Sequence, residues 1–82
     1  MHERALMRDV LSRVEEVARA EGARRVTRVT VRVGPLSHFT PEHFRAHFAD
    51  AAAGTVADGA IVEVDDGDGA DVLVEAVEVE AG

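Results

Sequence analysis

Between residues 25 and 33 the chain alternates. Thr27, Val29, Val31 and Val33 share one parity, and Arg28, Thr30 and Arg32 share the other. A period of two belongs to an extended strand, whose successive side chains point to opposite faces. This strand therefore has one apolar and one charged face, which requires a sheet covered on one side and wet on the other. Gly34-Pro35 ends the strand, so the cover must come from the segments around it.

Two helices supply that cover. In residues 3–21, Leu6, Val10, Val14 and Val17 recur at helical spacing, and Met7, Leu11 and Ala18 widen the stripe. Arg8, Asp9, Arg13, Glu16 and Arg19 lie mostly off it, and Gly22 is a natural stop. A loop over residues 36–39 leads to a second helix, with Thr40 as N-cap, Pro41 at the first position and Glu42 in the first turn. Phe44, Phe48, Ala51 and Ala52 form its apolar stripe, which runs to about Gly54. After a turn over 55–59, residues 60–65 read as a strand with Ala60, Val62 and Val64 on one face.

The acidic segment 65–71 reads as a solvated hairpin turn centred on Asp66-Gly67-Asp68-Gly69. Residues 71–80 read as a third strand with a broken phase. Val72 and Val74 have one parity and Val77 and Val79 the other, so a bulge near Glu75-Ala76 is needed to bring all four to one face. The order is α-β-α-β-β, an α+β fold with two helices on one face of a three-stranded sheet, in a single domain over residues 1–82. On the open face, Arg28 and Arg32 are expected to meet Glu63, Glu78 or Glu80.

Charge and composition narrow the function. A net charge of -7 argues against a nucleic-acid binder and against an anionic membrane surface as partner. With no cysteine, disulfides, thiolate zinc sites and cysteine nucleophiles are excluded. No apolar run resembles a signal sequence or a membrane span, so a cytoplasmic location is expected. Ser12 and Ser37 have no predictable His/Asp partner, and residues 34–37 do not form a phosphate loop, so a non-enzyme is expected.

The donors worth weighing are nitrogen and carboxylate. In Met1-His2-Glu3, a terminal amine, a backbone amide, an imidazole and a carboxylate can converge on one ion, with fused chelate rings that suit square-planar Ni(II) or Cu(II). Three letters alone fit an ordinary helix start better than a metal site. His43 and His47 are four apart on a helix, share a face and can chelate. The more economical reading makes them half-exposed polar residues edging the Phe44/Phe48 stripe. His38, in the turn after the first strand, could approach the first helix and supply a further ligand. Asp65, Asp66, Asp68 and Asp71 lack the spacing and closing glutamate of an EF-hand.

Taken in order, these landmarks resemble the HypA/HybF family of nickel-insertion proteins for NiFe-hydrogenase, whose relatives serve urease. The matching features begin with Met1-His2-Glu3, the first helix and its glycine, and the turn Gly34-Pro35-Leu36-Ser37. They continue through Pro41-Glu42, Arg45 and Phe48, Gly54-Thr55, Asp58-Gly59-Ala60 and the ending Val77-Glu78-Val79-Glu80. Family members insert a zinc domain with two Cys-x-x-Cys pairs between the last two strands; here the short turn at 65–71 stands in its place, so no zinc is expected.

The resemblance implies a nickel metallochaperone that holds Ni(II) at Met1, His2 and Glu3. It implies a hydrogenase large subunit precursor (or urease) as recipient and a HypB-type GTPase as partner, with the chain a monomer or weak dimer. His43 and His47 are not part of that family pattern. The rival readings are a protein-interaction adaptor built on the same fold without metal, and a general copper or nickel buffer using the histidines.

Overall fold

The computed structural model describes residues 2–82, with the side chain of His2 outside that description. Helix α1 spans His2–Ala20 and strand β1 Ala23–Val33; a 3-10 turn at Pro35–Ser37 leads into helix α2, Pro41–Ala52. Strands β2, Ile61–Asp66, and β3, Val72–Ala81, complete the chain. The expected order and layers are borne out.

The helices end and begin as their local chemistry dictates. Gly22 takes the left-handed conformation at φ 63° that closes α1. Thr40 caps α2, its Oγ1 accepting from His43 N at 3.1 Å, with Pro41 in the first turn. From α1 the core receives Met7, Val10, Val14 and Ala18, a line set one step round from the expected Leu6–Val17 edge. Val17 is 38% exposed, and Leu6 and Leu11 pack at the margin. From α2 it receives Phe44, Phe48 and Ala52.

Strand β1 is the middle of the sheet, parallel to β2 and antiparallel to β3. The parallel pair needs a crossover, and α2 provides it. Arg45 Nε of α2 donates to Val62 O of β2 at 2.9 Å, tying helix to strand. After α2, Val56 O accepts from Val26 N at 2.9 Å, so the connection is stitched to β1.

The alternation of β1 needs one correction. Its buried residues are Val26, Val29, Val31 and Val33, not Thr27. Opposite β3 the register slips between Val26 and Arg28, leaving Thr27 as an extra residue whose Oγ1 donates to Glu78 O at 3.2 Å. The bulge shifts the parity of everything before it. The bulge expected in β3 is present: Thr30 faces Ala76 and Val31 faces Val74, so Glu75 is skipped and Val72, Val74, Val77 and Val79 all pack on the core.

The skipped Glu75 also changes the ion pairs on the open face. It accepts from Arg32 Nε at 2.9 Å, a partner not expected for Arg32, and holds that guanidinium's pKa above its usual value chiefly by this hydrogen bond. Arg28 meets Glu63 at 2.8 Å and Glu78 at 3.6 Å, as expected, while Glu80 pairs with Arg25 at 2.5 Å. Such solvent-exposed pairs are screened by water, so they guide register more than they stabilise.

The hairpin reading of the acidic turn is overturned. Strands β2 and β3 lie on opposite sides of β1, so residues 67–71 cross the end of the central strand. Two strand spacings are about 10 Å, and five residues reach at most about 18 Å, so the bridge is short but sufficient. It is hydrogen-bonded to the strand end: Gly67 N to Val33 O at 3.0 Å, Gly34 N to Asp71 O at 2.8 Å and Leu36 N to Gly69 O at 2.8 Å.

This crossing explains Gly34. A Cβ there would lie 2.5 Å from Asp68 O and in hard overlap with Gly69 O, both backbone atoms. Gly34→Ala is therefore expected to cost about 1–3 kcal/mol, the usual range for forced overpacking. The check is the urea midpoint of the variant, which should fall. An unchanged midpoint would mean that the bridge does not press on Gly34.

Candidate metal centre

Helices α1 and α2 pack side by side, and their first turns meet. His43 occupies the first turn of α2, its backbone fixed by the Thr40 cap, and His47 follows one turn later on the same side. Glu3, in the first turn of α1, turns its carboxylate toward both. Glu3 Oε2 lies 3.6 Å from His43 Nε2, and Oε1 lies 3.5 Å from His47 Nε2. These separations exceed a hydrogen bond, so the three groups face one another without being locked together.

Aromatic packing fixes the imidazoles. The His43 and His47 ring centroids are 4.4 Å apart and tilted by 48°. Phe39 lies against His43 at 5.3 Å and, edge-on, against His47 at 6.5 Å. Phe39 also packs at 5.6 Å on Phe44, which belongs to the core, so the histidine pair rests on a buried support. The other side opens into a groove between the helices, lined by Glu3, Arg4, Arg8, His47 and Asp50.

One donor from each of Glu3, His43 and His47 lies within 4.8 Å of the others. An imidazole pair with a carboxylate can hold a divalent transition metal. Half-exposure of the two histidines, at 39% and 41% of the side chain, agrees with the expectation from sequence. What that expectation lacked was Glu3, which lies forty positions before His43 and meets it only through the packing of α1 on α2. The available signal was the i,i+4 histidine pair itself, facing the side on which α2 must meet its neighbour.

The remaining candidates are placed as follows. Met1 lies outside the described residues, as does the side chain of His2, whose backbone opens α1. His38 is exposed, with φ 69°, and stands outside the Glu3–His43–His47 group. Ser37 serves the turn: its Oγ donates to Gly34 O at 2.8 Å and accepts from Phe39 N at 3.4 Å. Among the described residues no helix is long and apolar enough to cross a membrane.

Comparison with known proteins agrees with this architecture. A family described as "Hydrogenase/urease nickel incorporation, metallochaperone, hypA" matches residues 1–79. The hydrogenase maturation factor HypA of Chlorobium limicola is 38% identical over 66 residues, covering 80% of this chain and 57% of that protein. Its counterpart in Rhizobium leguminosarum bv. viciae is 44% identical over 64 residues, covering 78% and 57%. The chain thus spans somewhat over half the length of the curated relatives it matches. The solution structure of the Ni metallochaperone HypA from Helicobacter pylori matches with a TM-score of 0.78 and 19% identity over 100% of both chains, a likeness of fold.

Proposed function

The chain belongs to the HypA family, and from that premise we propose that it is a nickel metallochaperone, binding Ni(II) at Met1, His2 and Glu3 for maturation of NiFe-hydrogenase or urease. The observation that carries this reading is the extent of the family match, which begins at residue 1 and so takes in all three donors. The relatives are hydrogenase maturation factors by name, which supports a carrier over a catalyst.

The chemistry follows from the placement of the donors. Helix α1 begins at His2, so the ligand set stands at a helix start. The unpaired N–H groups of a first turn give that end a positive partial charge, which opposes a cation. A site there has to bring negative charge of its own. A deprotonated amide between residues 1 and 2 supplies it, and the Glu3 carboxylate adds to it. The amine, amide and His2 imidazole then offer nitrogen donors in one plane, the arrangement Ni(II) accepts.

A chelate at a chain terminus leaves its other side open. A recipient's ligands can enter there and displace the donors one at a time. That suits cargo that must be surrendered to a hydrogenase large subunit precursor, with a HypB-type GTPase as partner. On this reading the chain is one nickel-binding domain over residues 1–82, with the turn at 65–71 in the place where the family inserts its zinc domain.

His2→Ala tests the site. Removing a direct ligand should cost more than the about 10–100-fold in affinity that loss of an outer hydrogen-bonding partner costs. The planar Ni(II) absorption spectrum should disappear with it. Retention of that spectrum at unchanged affinity would rule out His2 as a ligand.

A further inference from the structure

We propose that Glu3, His43 and His47 form a second Ni(II) seat, built between the two helices and independent of the terminal amine. It goes beyond the terminal chelate, because two of its three donors come from α2 and neither belongs to the family's motif. The seat stands whether or not the chelate forms.

The geometry carries the proposal. Ligands about 2.1 Å from a common ion lie roughly 3.0 Å apart at the right angles of a six-coordinate site and about 3.4 Å apart at tetrahedral angles. The two carboxylate-to-imidazole separations are 3.6 and 3.5 Å, and one donor from each residue lies within 4.8 Å of the others. Closing around a six-coordinate ion thus asks the carboxylate and imidazoles to draw together by roughly half an ångström. Each Glu3 oxygen already faces a different histidine, so the carboxylate needs no new rotamer to serve either one. The helix holds His43 and His47 at chelating spacing, and the Thr40 cap and Phe39 fix the first of them from backbone and ring.

The donor set also predicts the electronic state. Two imidazoles and one carboxylate leave coordination positions for water and impose no plane, so the bound Ni(II) is paramagnetic and of higher coordination. An amine–amide–imidazole chelate gives planar, diamagnetic Ni(II). The two seats are therefore distinguishable on the same molecule. Glu3 belongs to both donor sets, which places the second seat beside the first. An ion taken up by the half-exposed histidines has a short path to the terminal chelate, and the reverse path serves release.

The test uses the full chain carrying His2→Ala, which takes the imidazole out of the terminal chelate and leaves Glu3, His43 and His47 in place. Titrated with Ni(II), this protein should bind one equivalent and shift or broaden the NMR signals of the His43 and His47 rings. Adding His43→Ala/His47→Ala to it should abolish that equivalent. Because a double replacement on α2 can disturb folding, adding Glu3→Gln to the His2→Ala chain provides a second arm and should weaken binding with the helices untouched. Absence of Ni(II) uptake by the His2→Ala chain would overturn the proposal. So would uptake that persists undiminished in both further variants. Neither result bears on the terminal chelate, which the His43→Ala/His47→Ala chain with His2 intact reports separately.

Discussion

Phe44→Ala is expected to lower the melting temperature by roughly 12–40 °C, enough to leave little folded protein at growth temperature. Phe44 is fully buried, packing on Phe48 at 6.4 Å and edge-on against Phe39 at 5.6 Å. Truncating a buried phenylalanine costs about 3–5 kcal/mol, through lost transfer energy and the cavity left behind. A chain of 82 residues has a total stability of about 4–12 kcal/mol at the usual yield per residue. The loss is thus a large share of the whole, and each kcal/mol in a domain this size is worth about 4–8 °C.

The effect reaches the metal centre as well. Phe44 underlies Phe39, and Phe39 supports both imidazoles, so a cavity at 44 loosens the histidine pair. Calorimetry of the variant checks the stability claim. A melt within a few degrees of the native one would show that the core is not centred on Phe44.

Features set by neighbours in sequence were legible before the fold was known. Thr40 and Pro41 announce a helix start because the cap and the first turn involve only adjacent residues. The bulge at Glu75 could be read because four valines cannot otherwise share one face. Both helices and all three strands follow from periodicity for the same reason.

What depended on pairing across the chain was not legible. The parity of β1 looked continuous through Thr27, yet the register against β3 slips there and brings Val26 into the core. Local spacing cannot show a slip that exists only relative to a partner strand. Likewise, Asp66-Gly67-Asp68-Gly69 has the composition of a hairpin turn, and composition does not reveal that β1 has already taken the position between β2 and β3. Gly34 shows the consequence: it ends the strand as expected and is also the point where another segment of backbone passes. The Glu3–His43–His47 cluster is of the same kind. Each member has an unremarkable local reading, and the helix packing alone brings them together.

These observations bear on how the domain handles metal. The open face of the sheet is occupied by ion pairs from Arg25, Arg28 and Arg32 to glutamates, while among the described residues the donors close enough to share an ion, Glu3, His43 and His47, lie in the helical layer. The core that supports α2 and the packing that turns Glu3 toward it are therefore part of the same arrangement as the proposed nickel chelate. Stability and metal binding are expected to fail together when the core is opened, and separately when single donors are replaced.

The second large effect concerns the terminal amine. Coordination through Met1 requires a free amine nitrogen, and acetylation turns that nitrogen into an ordinary amide. The chelate then lacks its terminal donor. The most direct measurement is a Ni(II) titration of His43→Ala/His47→Ala protein, with and without acetylation of the Met1 amine, followed by absorption spectroscopy. The protein with a free amine should bind one equivalent with a planar Ni(II) spectrum, and the acetylated protein should lose both. Equal binding with the same spectrum in the two proteins would contradict nickel coordination at the N-terminus.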